Sequence, residues 1–237
     1  MTRATGTGTL AVLTLIAALT ACGRVSETRT TGETIDPGGA TAADVLIKMG
    51  AGELELTGGG AHLMDATFTT NVRRWEPRVD YDVFGGKGRL SVRQRRFGGL
   101  FLGNAKNEWT IRLGGGLPID LGVDLGAGES ALDLRGLDLG SLEIDMGVGE
   151  MTLDLSGPRT RSLRVSIDGG IGRGTILLPR DVGVKVDIDG GLGSIEARGL
   201  ERTGRKHVYT NDAWDRSDVR VEIEIDAGIG SIELKVI

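Results

Sequence analysis

Along most of this chain, apolar and polar residues alternate with a period of two. In Leu142-Glu143-Ile144-Asp145-Met146 the apolar side chains share one face, and further on Met151, Leu153 and Leu155 share another, with Thr152 and Asp154 between them. The layout returns in Val184-Lys185-Val186-Asp187-Ile188 and in Val221-Glu222-Ile223-Glu224-Ile225. Successive side chains of a strand point to opposite faces, so this is the pattern of strands buried on one side and wet on the other. It begins near Asp44, and no segment shows a convincing helical period. The expected class is all-β.

The strands fall into two groups. Between 61 and 118 the candidates are unlike one another, at 62–69, 78–83, 89–94 and 108–113, with glycine joints at Gly85-Gly86, Gly98-Gly99 and Gly114-Gly115-Gly116; an antiparallel meander is expected. From Pro118 onward the chain repeats. A Gly-X-Gly corner recurs at Gly126/Gly128, Gly147/Gly149, Gly170/Gly172, Gly191/Gly193 and Gly228/Gly230, with an early copy at Gly50/Gly52. The second glycines are spaced by 21, 23, 21 and 37 residues. A unit of that length, strand, corner, strand, turn, is one coil of a β-solenoid, which buries its apolar face only by stacking on its neighbours. The long last spacing marks an insertion at 199–218, which holds Tyr209, Asn211 and Trp214 and is expected to cover the terminal coil or to bind. The apolar finish at Ile232, Leu234, Val236 and Ile237 suggests a last strand whose edge is open to another chain.

The N-terminal residues read as an address. Arg3, a ten-residue apolar run at 10–19, and Leu19-Thr20-Ala21-Cys22 follow the order of an export signal with small residues before its cleavage site. Ten residues are too few to span a bilayer, which takes about 20. The quartet resembles a bacterial lipobox, which implies a diacylglycerol thioether, with its palmitate-type chains, on Cys22 and cleavage before it. Cys22 is the only cysteine, so no disulfide or further thiol chemistry is expected. The expected organisation is a lipoprotein signal peptide at 1–21, a flexible polar tether at 22–43, an N-terminal strand region at 44–118 and the repeat solenoid at 119–237. The expected location is the outer side of the cytoplasmic membrane or the outer membrane.

Forty glycines, five prolines and 4% aromatic residues suit a chain that turns often and packs aliphatic layers. The net charge of −5 argues against nucleic acid. One stretch departs from that balance: Arg73, Arg74, Arg78, Lys87, Arg89, Arg93, Arg95 and Arg96 stand against Glu76, Asp80 and Asp82, a local +5, with Phe97-Gly98-Gly99-Leu100-Phe101-Leu102 after it. Arg73, Arg74, Arg89, Arg93, Arg95 and Arg96 are the candidates for contact with anionic lipid or an acidic wall polymer; the bland reading is the solvated face of a sheet.

Gly50-Ala51-Gly52-Glu53-Leu54, Asn107-Glu108-Trp109, Leu117-Pro118-Ile119-Asp120-Leu121 and Asp124-Leu125-Gly126-Ala127-Gly128-Glu129, taken as a series, resemble the toast-rack domain of bacterial envelope proteins, a group that includes the C-terminal part of LiaF-type cell-wall stress regulators. The resemblance covers about residues 45 to 237. It implies a β-solenoid of stacked coils, expected right-handed, and carries over no catalytic residues and no cofactor.

Other chemistry is weaker. Asp124, Asp145, Asp168, Asp189 and Asp226 each precede a corner and would stack into a column. Calcium solenoids repeat about every nine residues, so a solvated polar edge outweighs a metal site. His62 and His207 have no partner spacing for a triad or for zinc. Carboxylate pairs are too plentiful to single out a glycosidase pair. The reading is therefore a lipid-anchored, non-enzymatic envelope scaffold or interaction module, with a role in the cell-wall stress response suggested; the alternative is a carbohydrate-binding or carbohydrate-active β-helix.

Overall fold

Among the described residues, thirteen strands join into one hydrogen-bonded sheet that doubles over on itself. The computed structural model describes residues 27–95, 104–114, 116–204 and 207–237, without the side chains of Ile171 and Leu192. In chain order the strands are β1 Arg29–Ile35, β2 Ala42–Gly60, β3 Met64–Thr70, β4 Pro77–Phe84, β5 Lys87–Gln94, β6 Asn107–Gly114, β7 Ile119–Asp133, β8 Leu139–Asp154, β9 Leu163–Leu178, β10 Gly183–Arg198, β11 Glu201–Thr203, β12 His207–Thr210 and β13 Arg220–Val236. A single 3₁₀ turn, Arg73–Trp75, precedes β4. The all-β expectation holds, and the strands expected at 62–69, 78–83, 89–94 and 108–113 fall within a residue or two of those positions, but they form no meander: β4 pairs with β5, whereas β3 pairs with β6.

The long strands β2, β7, β8, β9, β13 and β10 lie side by side in that order, all parallel. Each folds at its Gly-X-Gly corner into a first and a second arm. The corner glycines Gly52, Gly128, Gly149, Gly172, Gly230 and Gly193 are in register across the stack. Gly149 shows why. Its φ is +152°, and a Cβ built on it would strike the carbonyl oxygen of Gly128. Only glycine combines that backbone with that approach.

Between the two layers of arms lies an aliphatic core. Alternate residues of both arms point into it, among them Ile47, Val123, Ile144, Val165, Ile223 and Val186 from first arms and Leu56, Leu132, Leu153, Ile176 and Leu234 from second arms. Opposite the corner the coils close on Leu134, Leu155 and Leu178, each 0% exposed. The same ladder carries on there, with Leu134 N donating to Asp154 O at 3.0 Å and Leu155 N to Leu177 O at 2.9 Å.

Each layer is extended by other strands. At one end β5 and then β4 continue the first arms, while β6, β3 and β1 continue the second arms. Phe68 of β3 meets Trp109 of β6 edge to face at 5.3 Å, a contact worth about 1 kcal/mol beyond burial. β1 lies within the polar segment 22–43 and owes its place to pairing: Thr30 and Thr69 hydroxyls meet at 3.0 Å, and Thr34 donates to Asp65 at 3.1 Å. At the opposite end the insertion supplies the hairpin β11–β12, and β12 pairs with the first arm of β10. It does cover a terminal coil.

The last strand is placed differently from its expectation. β13 is not an edge: it sits between β9 and β10, hydrogen-bonded on both sides along its length. The strand at the end of the stack is β10. Ile232, Leu234 and Val236 are apolar because they enter the core from an interior strand.

Candidate functional site

Charge is the most ordered feature of the surface, and the strand register builds it. The first arms present one outward row next to the corner: Arg78, Arg93, Lys48, Asp124, Asp145, Asp168, Asp226 and Asp189, from β4 through β5, β2, β7, β8, β9 and β13 to β10. Neighbouring strands are about 4.8 Å apart, so these groups feel one another. The row passes from three cations to five carboxylates. Lys48 sits at the change of sign, its Nζ 2.9 Å from Asp124.

The aspartate column expected from sequence therefore exists, with Asp226 standing between Asp168 and Asp189. Sequence reasoning missed its cationic continuation. Lys48, Arg93 and Arg78 lie on strands whose neighbours are far away in the chain, so their place in the row had no local signal. Asp168, Asp187, Asp189, Glu224 and Asp226 line a concavity together with Ser166. Among the described residues, no group of three or more His, Cys, Asp and Glu side chains is placed to hold a metal ion.

The candidate arginines are spread over the other end. Arg89 and Arg93 project from β5, Arg73 and Arg74 lie in the 3₁₀ turn, and Arg95 follows β5. Arg96 and the apolar stretch 97–102 lie outside the described residues, as does Cys22. Acids inside the sheet temper this end. Asp80 takes Arg78 at 2.9 Å and Arg93 at 3.6 Å, and Lys87 meets Asp44 at 2.6 Å and Asp120 at 3.6 Å. The Arg78 hydrogen bond holds the Asp80 carboxyl below the usual carboxylate range, and the Asp44 hydrogen bond holds the Lys87 ammonium above its own. Among the described residues Arg73, Arg74, Arg89 and Arg95 form no ion pair.

The entry of the chain lies at the same end. Arg29 opens β1 opposite Thr70, reaches Glu76 at 3.4 Å, and shares a cleft with Thr28 and Arg73. Buried amides tie this region to the corner. Asn107 Nδ2 donates to Ala51 O at 2.6 Å, and its Oδ1 accepts from Trp109 Nε1 at 3.0 Å. Gln94 Oε1 accepts from the amides of Gly50 and Ala51.

Histidines and aromatics take structural places. His62 hydrogen-bonds Asp65 at 2.9 Å, and His207 lies on β12 opposite Ile188. Trp75 and Trp109 are buried, and Trp214 is capped by the Arg220 guanidinium at 4.7 Å. Among the described residues Phe84, 77% exposed at the end of β4, is the aromatic side chain left most open. The insertion is pinned by Asn211, whose Oδ1 accepts from Val184 N at 2.9 Å and whose Nδ2 donates to Val182 O at 2.8 Å.

Comparison with known proteins agrees with this architecture. Residues 24–177 match the family model for the N-terminal domain of toast_rack. Residues 127–234 match the model described as cell wall-active antibiotics response LiaF, C-terminal. No curated protein matches the chain. A candidate cell adhesion protein from Clostridium sporogenes has a crystal structure that superposes with a TM-score of 0.86 at 31% identity, over 89% of this chain and 100% of that one. A candidate adhesin from Bacteroides fragilis is 13% identical over 88% of this chain and 97% of that one, with a TM-score of 0.33.

Proposed function

The chain belongs to the toast-rack family, and on that premise we propose that it is a non-enzymatic scaffold or interaction module of the cell envelope, held at a membrane by lipid on Cys22. The observation that carries this reading is the polarised row from Arg78 to Asp189. A rigid stack that sorts its charge along its length presents two chemically different ends, and a lipid on Cys22 would turn the end where the chain enters toward the membrane. From Cys22 to Arg29 the chain spans at most roughly 25 Å at about 3.5 Å per residue. That holds the cationic end, with Arg73, Arg74, Arg89, Arg93 and Arg95, within reach of lipid headgroups. Anionic lipid or an acidic wall polymer suits these cations, at about 1 kcal/mol for each near a charged surface.

The match of 127–234 to the LiaF C-terminal model supports a part in the response to cell-wall-active antibiotics. The likeness to the Clostridium sporogenes protein supports a binding role, adhesion included.

Two measurements test the reading. Cys22→Ser is expected to move the protein from the membrane to the soluble exported fraction; membrane retention of the variant would remove the lipid anchor. Vesicles containing anionic lipid should pull down the Cys22→Ser chain, which has no acyl anchor, at low salt, and adding Arg73→Glu with Arg74→Glu should weaken this about tenfold. Capture that ignores lipid charge, salt and both substitutions would remove the electrostatic contact.

A further inference from the structure

The end of the stack farthest from the chain entry is finished on one layer only. β12 covers the first arm of β10 from Lys185 to Ile188 and stops there. Beyond the corner, the second arm of β10 pairs with β13 along one side, Leu192 opposite Ile229 through Arg198 opposite Lys235. Among the described residues no strand lies on its other side. β1, the outermost strand of the second-arm layer at the opposite end, carries an inward-facing, exposed charge at Glu33, a device that discourages pairing. The inward positions of the β10 arm are instead Ile195 and Ala197, both half-buried against the core.

Beside this edge the core is underfilled. The inward residues just before the corner run Met49, Leu125, Met146, Gly169, Ala227, Gly190 from β2 to β10. Those just after it run Leu54, Ser130, Met151, Gly174, Ile232, Ile195. Side-chain volume falls away toward β10 in the first row and drops at Gly174 in the second, which leaves an apolar crevice of about 80 Å³ walled by Met151, Ile167, Ile188, Ile195, Ile225 and Ile232. A Cβ added to Gly174 would meet nothing within 4 Å. Pockets that hold drug-sized ligands run from roughly 300 Å³ upward, so this space suits one aliphatic side chain. The carboxylates of Asp168, Asp187, Asp189, Glu224 and Asp226 lie across the corner, and Ile229 stands 54% exposed at its apex.

We propose that this end docks an extended cationic segment of a partner protein by strand addition to the second arm of β10. The segment's backbone pairs with Leu192 to Arg198, an aliphatic side chain enters the crevice, and lysine or arginine at the corner end meets the aspartates. Main-chain pairing supplies affinity, while the crevice and the charge supply selection. The proposal deepens the interaction-module reading and names its partner chemistry; it does not depend on the lipid on Cys22.

The test uses the full chain in detergent and two synthetic ten-residue peptides of alternating valine and threonine, one ending in two lysines and the other in two glutamates. The lysine peptide should bind about tenfold more tightly at low salt and slow amide exchange across residues 192–198. Gly174→Leu fills the crevice; it should weaken that binding about tenfold while leaving the melting temperature unchanged or higher. Asp168→Asn with Asp189→Asn and Asp226→Asn should erase the preference for lysine. Equal binding of both peptides, unaltered binding by Gly174→Leu, no slowing at 192–198, or no binding of either peptide would each overturn the proposal. So would light scattering that showed the edge already occupied by a second copy, or displacement of the peptide by a single fatty acyl chain that filled the crevice instead.

Discussion

Gly149 illustrates how little freedom the corner residues have. Its positive φ and the Gly128 carbonyl beneath it exclude a side chain for two independent reasons. Gly149→Val is expected to cost more than about 4 kcal/mol, seen as loss of soluble folded protein or a collapse of the denaturant midpoint. Gly174 is the counter-case at the same scale, since its surroundings are open and its backbone is ordinary strand. Ion-paired carboxylates behave differently again. Hydrogen bonds from Arg135, foremost among several causes, hold the Asp133 carboxyl below the usual range. Its folded pKa is depressed, so its stabilisation is present above about pH 4 and is lost as pH falls through the folded value. Asp133 is 39% exposed, so the effect is under about 1 kcal/mol. The melting temperature should fall between about pH 5 and pH 2, and Asp133→Asn should flatten that slope.

At the scale of elements, the insertion is a small hairpin that pairs with β10 through β12 and is pinned by one buried amide. Asn211 satisfies backbone groups of Val182 and Val184 that would otherwise lie orphaned. Asn211→Ala should cost about 1–3 kcal/mol and raise amide exchange at Lys185 to Ile188, where β12 would detach; unchanged exchange there would show that the hairpin holds by other means. The strands themselves were legible from their alternation, because side-chain direction in a strand is a local property. The joints at Asn107 and Asn211 were not legible. Each is an ordinary polar residue in sequence, and only burial among backbone groups makes it a joint.

For the whole molecule, the charge row matters because its members come from distant segments. Asp168 lies between Asp145 and Asp226, with no ion pair among the described residues. Relieving one step of like-charge repulsion with Asp168→Asn should raise the melting temperature by about 1–2 °C at low ionic strength, and the gain should vanish in high salt. A loss at every salt concentration would mean that the carboxylate is doing something other than repelling its neighbours.

The alternation of residues determined which side chains enter the core, and the glycine pairs determined where each strand folds, since both follow from φ, ψ and strand geometry within a few residues. The number and length of the coils followed from the repeat. Tertiary structure alone decided the order in which the coils stack. β13 slips between β9 and β10, so it becomes interior and, among the described residues, the second arm of β10 is left unpaired on one side. Parallel strands with similar faces can pair in several orders, and the choice is made by the sum of contacts across the whole stack. The same choice joined Arg78, Arg93 and Lys48 to the five aspartates, and left the crevice at the end where the inward side chains are smallest.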